Sequence, residues 1–227
     1  WAITTGGYTK NNDTIVVAII DDGIDTTHPD LKANLWHNQY EIPKNGLDDD
    51  GNGFVDDYLG WNAYQDNDHI QNGKWGGDHG TPVTGIIGAV GNNTTGVSGI
   101  NWKVKMMVIV GGGGETEALA AYAYAYEQRK LYNETNGEKG AYVVATNASW
   151  GLDYAKAEDA PLWCAFYDSL GSQGIINAGA TSNLNINVDQ DGDLPSTCPS
   201  PYLIAVTNTN DNDYKVNNAG YGLKHID

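Results

Sequence analysis

The chain carries short, unbroken apolar runs separated by polar, glycine-rich stretches. The run Ile15-Val16-Val17-Ala18-Ile19-Ile20 is β-branched and stops at Asp21-Asp22-Gly23, which predicts a strand buried on both faces of a parallel sheet. A second run over 104–110 ends in the glycines Gly111, Gly112, Gly113 and Gly114. The Ala/Tyr-rich stretch over 115–131 then places Leu119, Tyr122 and Tyr126 at helical spacing. Its acids come first and Arg129-Lys130 late, as the helix dipole favours. Further strands are predicted at 141–146, 174–178 and 203–207, with a helix within 157–170 and another carrying Ile86, Ile87, Ala89 and Val90. Strands alternating with helices predict an α/β fold, a doubly wound, mostly parallel sheet with helices on both faces. Chemistry in such sheets sits at the strand ends.

No repeat, low-complexity linker or shift in composition marks a boundary, so 1–227 is expected to be one domain. The segment 38–67 stands apart within it. It is polar, rich in Gly and Asp, follows neither period, and is longer than most structureless loops, so something must order it.

Charge then narrows the partners. With 12 Lys plus Arg against 29 Asp plus Glu, the net charge of -17 repels phosphate backbones and anionic membranes. Neither nucleic acid nor a membrane is an expected partner. No apolar run approaches the roughly 18 residues of a membrane helix, and Trp1 opens the chain without a basic or leucine-rich leader. A soluble chain is expected, with any export signal already removed. The cysteines Cys164 and Cys198 leave two readings open, one bridge or two buried thiols.

The strongest local signal is His79-Gly80-Thr81-Pro82-Val83-Thr84-Gly85. A histidine where a glycine-flanked loop enters a helix is held in orientation yet reaches solvent, as a general base must. Asp21, at the end of a buried strand, can accept the second ring N–H of such a histidine, fix its tautomer and stabilise the imidazolium during acyl transfer.

These residues carry a resemblance. The stretch Val17 to Asp25 followed by His28-Pro29-Asp30-Leu31 resembles the aspartate motif of subtilisin-like serine peptidases. The segment around His79 resembles their histidine motif, in the family's order and at a similar separation. Asn147-Ala148-Ser149-Trp150-Gly151 is similar to the family's substrate-binding strand, and Gly174-Ile175-Ile176 through Asn183 to the strand that bears its oxyanion asparagine. The resemblance implies that Asp21 orients the base, His79 is the base, and the Asn183 amide donates to the oxyanion. It also implies an extended protein or peptide substrate between Gly112, Gly113, Gly114 and Glu115 on one side and Ser149, Trp150 and Gly151 on the other. Trp150 and the tyrosines over 122–126 hint at large apolar side chains in the pockets.

The chain departs from the family pattern in three places. Asp22 stands where Ser or Thr is usual and adds a charge beside Asp21, and Ala180-Thr181-Ser182-Asn183 replaces the more usual A-A-G-N. The A-P-G turn and the G-T-S-x-A motif of the nucleophile are absent before Asp227. The expectation is an incomplete peptidase domain whose C-terminal part is missing: either the larger piece of a nicked peptidase, with a companion polypeptide that supplies the serine, or an isolated fragment. Trp1 likewise resembles a position some way inside the family's mature N-terminus.

The second chemical signal lies in the segment 38–67. Counting Asp48 as position one, Asp50, Asn52, the Phe54 carbonyl and Asp56 fall at three, five, seven and nine of an EF-hand-like calcium loop, with Gly53 at the bend. Position twelve is Leu59, so the usual bidentate Glu is missing and closure must come from Asp56, Asp57 or elsewhere. Clustered aspartates without a Lys or Arg between them repel one another unless a cation intervenes. The expected ion is Ca²⁺, in a structural role. The reading as a whole is a secreted, calcium-stabilised serine endopeptidase. The alternative is a non-catalytic calcium- or peptide-binding module on the same scaffold, against which the intact Asp21 and His79 argue.

Overall fold

The computed structural model describes residues 6–71 and 77–227, so the expectation at Trp1 lies outside the described residues. In chain order the elements are β1 (Val16–Asp21), β2 (Gly60–Asn62), α1 (Gly80–Gly88), β3 (Lys105–Val110), α2 (Glu115–Glu134) and β4 (Val143–Ala148). They continue with β5 (Leu152–Asp153), α3 (Pro161–Ser172), β6 (Ile176–Ala180), α4 (Val188–Asp191), β7 (Asp193–Leu194) and β8 (Leu203–Val206). Six strands form one parallel sheet in the order β2-β3-β1-β4-β6-β8, and β5 pairs antiparallel with β7.

The apolar runs are continuous because the sheet centre is covered on both faces. Alternate residues of β1 and β3 separate cleanly: Ala18, Ile20, Met107 and Ile109 join the core beneath α2 and α3, while Ile19, Met106, Val108 and Val110 join the core that includes Ala89 behind α1. On the first face Trp163 donates through Nε1 to the Tyr167 hydroxyl, which shares a hydrogen bond with the Tyr122 hydroxyl, so the largest buried side chains are satisfied as well as packed.

Coverage fails toward one edge. On the α1 face, Ile176 of β6 and Ile204 and Val206 of β8 are 38%, 42% and 51% exposed, whereas Asn177, Gly179, Leu203 and Ala205 on the opposite face are buried. The sheet therefore has one complete face and one half-covered face.

Three expectations are corrected. The helix α2 buries Ala118, Ala121, Tyr122, Tyr124 and Ala125, not the Leu119–Tyr122–Tyr126 stripe, because Tyr124 has a partner waiting below it. It also runs on to Glu134, so Arg129 sits inside the helix, donating to the Val143 carbonyl and stacking on Tyr142 at 4.2 Å. The segment 38–67 contains a strand, β2, at the sheet edge. Of the two readings for the cysteines the bridge holds: Cys164 and Cys198 form a disulfide that joins α3 to the stretch before β8.

Candidate active site

The central strand β1 ends at Asp21, between β3 and β4, where the chain direction around the sheet reverses. That switch point is where the parallel strands open a crevice. Because all six strands run parallel, Asp21, the Gly111–Gly114 glycines, Ser149 and the turn carrying Asn183 all emerge at the same end of the sheet.

Asp21 is 4% exposed. Its Oδ1 lies 2.8 Å from His79 Nδ1 and accepts the Asp22 N–H, also at 2.8 Å. With Asp21 ionised, Nδ1 must carry the ring proton, which leaves Nε2 to take one from a nucleophile. The His79 side chain is 57% exposed, so that nitrogen can be reached. Burial raises the Asp21 carboxyl above its ordinary value, and the hydrogen bond to His79 works against that rise. Its Oδ2 is buried with no hydrogen-bond partner among the described residues.

Two edges flank the pair. Gly112 and Gly113 adopt φ of +133° and +98°, a region that favours glycine, and the Trp150 ring lies 3.0 Å from where a Gly112 Cβ would stand. Trp150 donates through Nε1 to the Ile20 carbonyl at 2.8 Å and stacks on Trp163. Its ring thus bridges the two edges next to β1. Asn147 Nδ2 donates to Ser149 Oγ at 3.0 Å, and Gly151 is packed so tightly on the Leu194 carbonyl that a Cβ would lie 2.1 Å from it. The groove encloses about 480 Å³ and includes His79, Gly112, Gly113, Gly114, Ser149 and Trp150 in its walls.

Some expected residues take other roles. Glu115 turns away from the groove: its Oε1 accepts from Leu162 and Trp163 N–H groups and caps α3, while Glu117 lines the groove instead. Tyr122 and Tyr124 are fully buried and shape no pocket. Asn183 is exposed, at a turn held by its neighbour Ser182, whose N–H donates to Asp193 at 3.1 Å. Tyr64, absent from the sequence reading, donates to the Gly112 carbonyl at 2.6 Å and ties the chain after β2 to the glycine edge.

The acidic loop is likewise sorted by its hydrogen bonds. Asp48 accepts from the Gly51, Asn52 and Gly53 amides, and Asp50 from the Asn52 amide and Asn38 Nδ2. The Asn52 side chain accepts from Phe54 N–H. Asp56 lies outside the cluster, with both oxygens on the Asn45 and Gly46 amides, so it is not placed to ligate. Asp57 is not placed to ligate either. It is 0% exposed, accepts from Asn38, Asn52, Tyr124 and Gln128, and burial pushes its carboxyl up to about 6.

The carboxylate that joins the loop is Glu41. One oxygen each from Glu41, Asp48 and Asp50 lie within 4.8 Å of one another. Glu41 is 4% exposed, and while Oε1 accepts from Asp49 and Asp50 N–H groups, Oε2 is buried and unpartnered. Burial raises its carboxyl as well. No spacing rule points to it, since it precedes the loop.

Fold and site together define an α/β protein with a buried carboxylate paired to an accessible histidine at the switch point of a parallel sheet. The chain belongs to the subtilase family, whose model matches residues 12–224. Subtilisin-like protease 1 of Plasmodium berghei is 43% identical over 106 residues, 44% of this chain and 16% of that protein. An extracellular protease of Xanthomonas campestris is 35% identical over 117 residues, 48% of this chain and 18% of its own length. A cell wall-associated protease of Bacillus subtilis is 29% identical over 153 residues, 64% of this chain and 13% of its own length. This chain therefore spans between 13% and 18% of the length of those relatives. Among solved structures, a protease from Pseudoalteromonas arctica matches with a TM-score of 0.64 at 23% identity, over 95% of this chain and 62% of that one. The epidermin leader peptide processing serine protease of Staphylococcus aureus matches with a TM-score of 0.63 at 18% identity, over 100% and 52%. At these identities the two structures bear on the fold alone.

Proposed function

We propose that these residues supply the base, its orienting carboxylate and the oxyanion amide of a secreted serine endopeptidase, and that a C-terminal segment, on this chain or on a second one, supplies the nucleophile. The observation that carries this is the 2.8 Å pair between buried Asp21 and accessible His79, set between two strand edges. His79 Nε2 takes the proton of the attacking serine and returns it to the leaving amine, while Asp21 holds the other nitrogen and the Asn183 amide donates to the oxyanion.

No serine among the described residues hydrogen-bonds to His79, and the half-covered sheet face supports an external source for the nucleophile. Ile176, Ile204 and Val206 lie on the same face as α1, so an apolar helix packed over them would complete the core and stand beside the helix that carries His79. Secretion is supported by the relatives whose names are extracellular and cell wall-associated proteases. No described helix is long and apolar enough to cross a membrane.

The acidic loop fits a hard cation. Glu41, Asp48 and Asp50 would hold Ca²⁺, with Asn52 and the Phe54 carbonyl as further oxygen donors, and the buried, unpartnered Glu41 Oε2 is the observation that favours an ion there. Its contribution would be structural.

A serine-directed fluorophosphonate tests the assignment. The label is expected on a serine outside residues 1–227, in a C-terminal segment or a companion polypeptide, and on none within them, and His79→Ala is expected to lower both labelling and peptide hydrolysis by several orders of magnitude. Label on Ser149 or any other serine here would overturn it.

A further inference from the structure

The acidic pair that ends β1 grips α1 twice. Asp21 holds the His79 ring, and Asp22 holds the backbone beneath it. Oδ1 of Asp22 accepts from Gly80 N–H at 2.7 Å and Oδ2 from His79 N–H at 3.2 Å. Amides at the start of a helix have no partner within it, and His79, in the capping position of α1, makes no side-chain capping bond. A carboxylate from the neighbouring strand thus takes the place of the cap and also suits the positive end of the helix dipole.

The seat is tight. A Cβ on Gly80 would stand 2.2 Å from the Gly23 carbonyl oxygen and 3.0 Å from Asp22 Oδ1, so the helix start rests directly on the strand end. Thr81 adds a third tie: its hydroxyl accepts from Asp25 N–H at 3.0 Å and donates to the Gly77 carbonyl at 2.8 Å.

We propose that Asp22 is a positioning residue, whose carboxylate fixes the height and rotation of the α1 N-terminus and so keeps the His79 ring in line with Asp21. A single hydroxyl in its place would offer one acceptor atom where two amides need partners. Displacing a reacting group by about 1 Å can cost on the order of 100-fold in rate, so a tether acting only through the backbone is kinetically visible.

The kinetic part of the test rests on the peptidase reading; the spectroscopic part does not. Asp22→Ala, Asp22→Asn and Asp22→Ser are compared in the protein complete with its nucleophile-bearing segment, by kcat, KM, melting temperature and the low-field proton resonance of His79 Nδ1–H. Asp22→Ala is expected to lower kcat about 10–100-fold with KM within about twofold, and to broaden the ring N–H resonance through faster exchange. Asp22→Asn keeps an acceptor for Gly80 and is expected to hold kcat within about fivefold of wild type. A cap of purely structural role would lower the melting temperature while leaving kcat per folded molecule and the resonance unchanged. That result in Asp22→Ala, or in Asp22→Ser should Asp22→Ala not fold, would overturn the proposal. If the wild-type protein hydrolysed no peptide, the peptidase reading would fail, and the resonance would still decide the positioning: lost in Asp22→Ala it supports the tether, intact it refutes it.

Discussion

Asp21 and Asp57 are both buried aspartates with raised carboxyl pKa values, yet their surroundings assign them opposite work. Asp57 is saturated: two amides from its own segment, a tyrosine hydroxyl and a glutamine amide from α2 converge on its two oxygens. Asp21 has one crowded oxygen and one orphan, and its single side-chain partner is a histidine open to solvent. A carboxylate whose lone pairs are all filled by the fold is a structural rivet. One left short of partners keeps a free-energy cost that a fold without a use for it would shed.

The largest test of that contrast is a double dissociation. Asp57→Ala leaves the Tyr124 hydroxyl and the Gln128 amide buried without their acceptor, and is expected to cost about 3–5 kcal/mol of stability in denaturant titrations, as loss of one member of a buried charged network does. Asp21→Asn is expected to leave the denaturation midpoint near wild type and to lower kcat by about 10⁴-fold, because the amide cannot hold the required tautomer. Equal effects of the two substitutions on stability would erase the distinction.

The Asp21–His79 pairing was legible in the sequence and the packing around Asp57 was not. Asp21 and His79 announce themselves because a continuous apolar run fixes where β1 ends and the His79 segment opens a helix. Direction of side chains is what sequence withholds. Asp56 sits at position nine of a calcium loop and Asp57 follows it as a candidate to close the site, but a positive φ at Asp56 turns its carboxylate onto the Asn45 and Gly46 amides, and Asp57 faces α2. Glu41 and Tyr64 reach their places through tertiary contacts with no spacing to betray them. The strand β2 has three residues, too few to display a period. The same limit applies in α2, where Tyr124 is buried because Phe54 and Trp61 pack against its ring.

A smaller effect probes the loop itself. If Ca²⁺ binds the folded state alone, free metal at 100 times its Kd adds about 2.7 kcal/mol, so chelation is expected to lower the melting temperature and open 45–57 to proteolysis first. Glu41→Gln is expected to reproduce the loss without chelator, whereas Asp56→Asn is not expected to change metal affinity. An unchanged melting temperature in excess EGTA, on protein shown by elemental analysis to be metal-free, would leave the loop held by its own hydrogen bonds.

The smallest effect extends the comparison to a third buried aspartate, one that touches the candidate active site only through a turn. Asp193 is 1% exposed, and its Oδ2 accepts from both Ser182 N–H and the Ser196 hydroxyl, which fixes the turn that presents Asn183. Burial pushes its carboxyl up to about 6, with the two hydrogen bonds opposing the rise. A folded pKa above the unfolded value of about 3.9 means the folded chain binds the extra proton, so this group's contribution is fully present below about pH 4 and is lost as pH rises to about 6. Asp193→Asn keeps a carbonyl oxygen for both donors and carries no charge, so it removes the titration and preserves the turn. Between pH 4 and pH 7 the wild type is expected to lose on the order of 2–3 kcal/mol relative to this variant, read as the difference between two denaturation series so that the other titrating acids cancel. Parallel stability curves would mean that Asp193 titrates as an ordinary carboxylate, and the turn beneath Asn183 would then be held by a charged anchor.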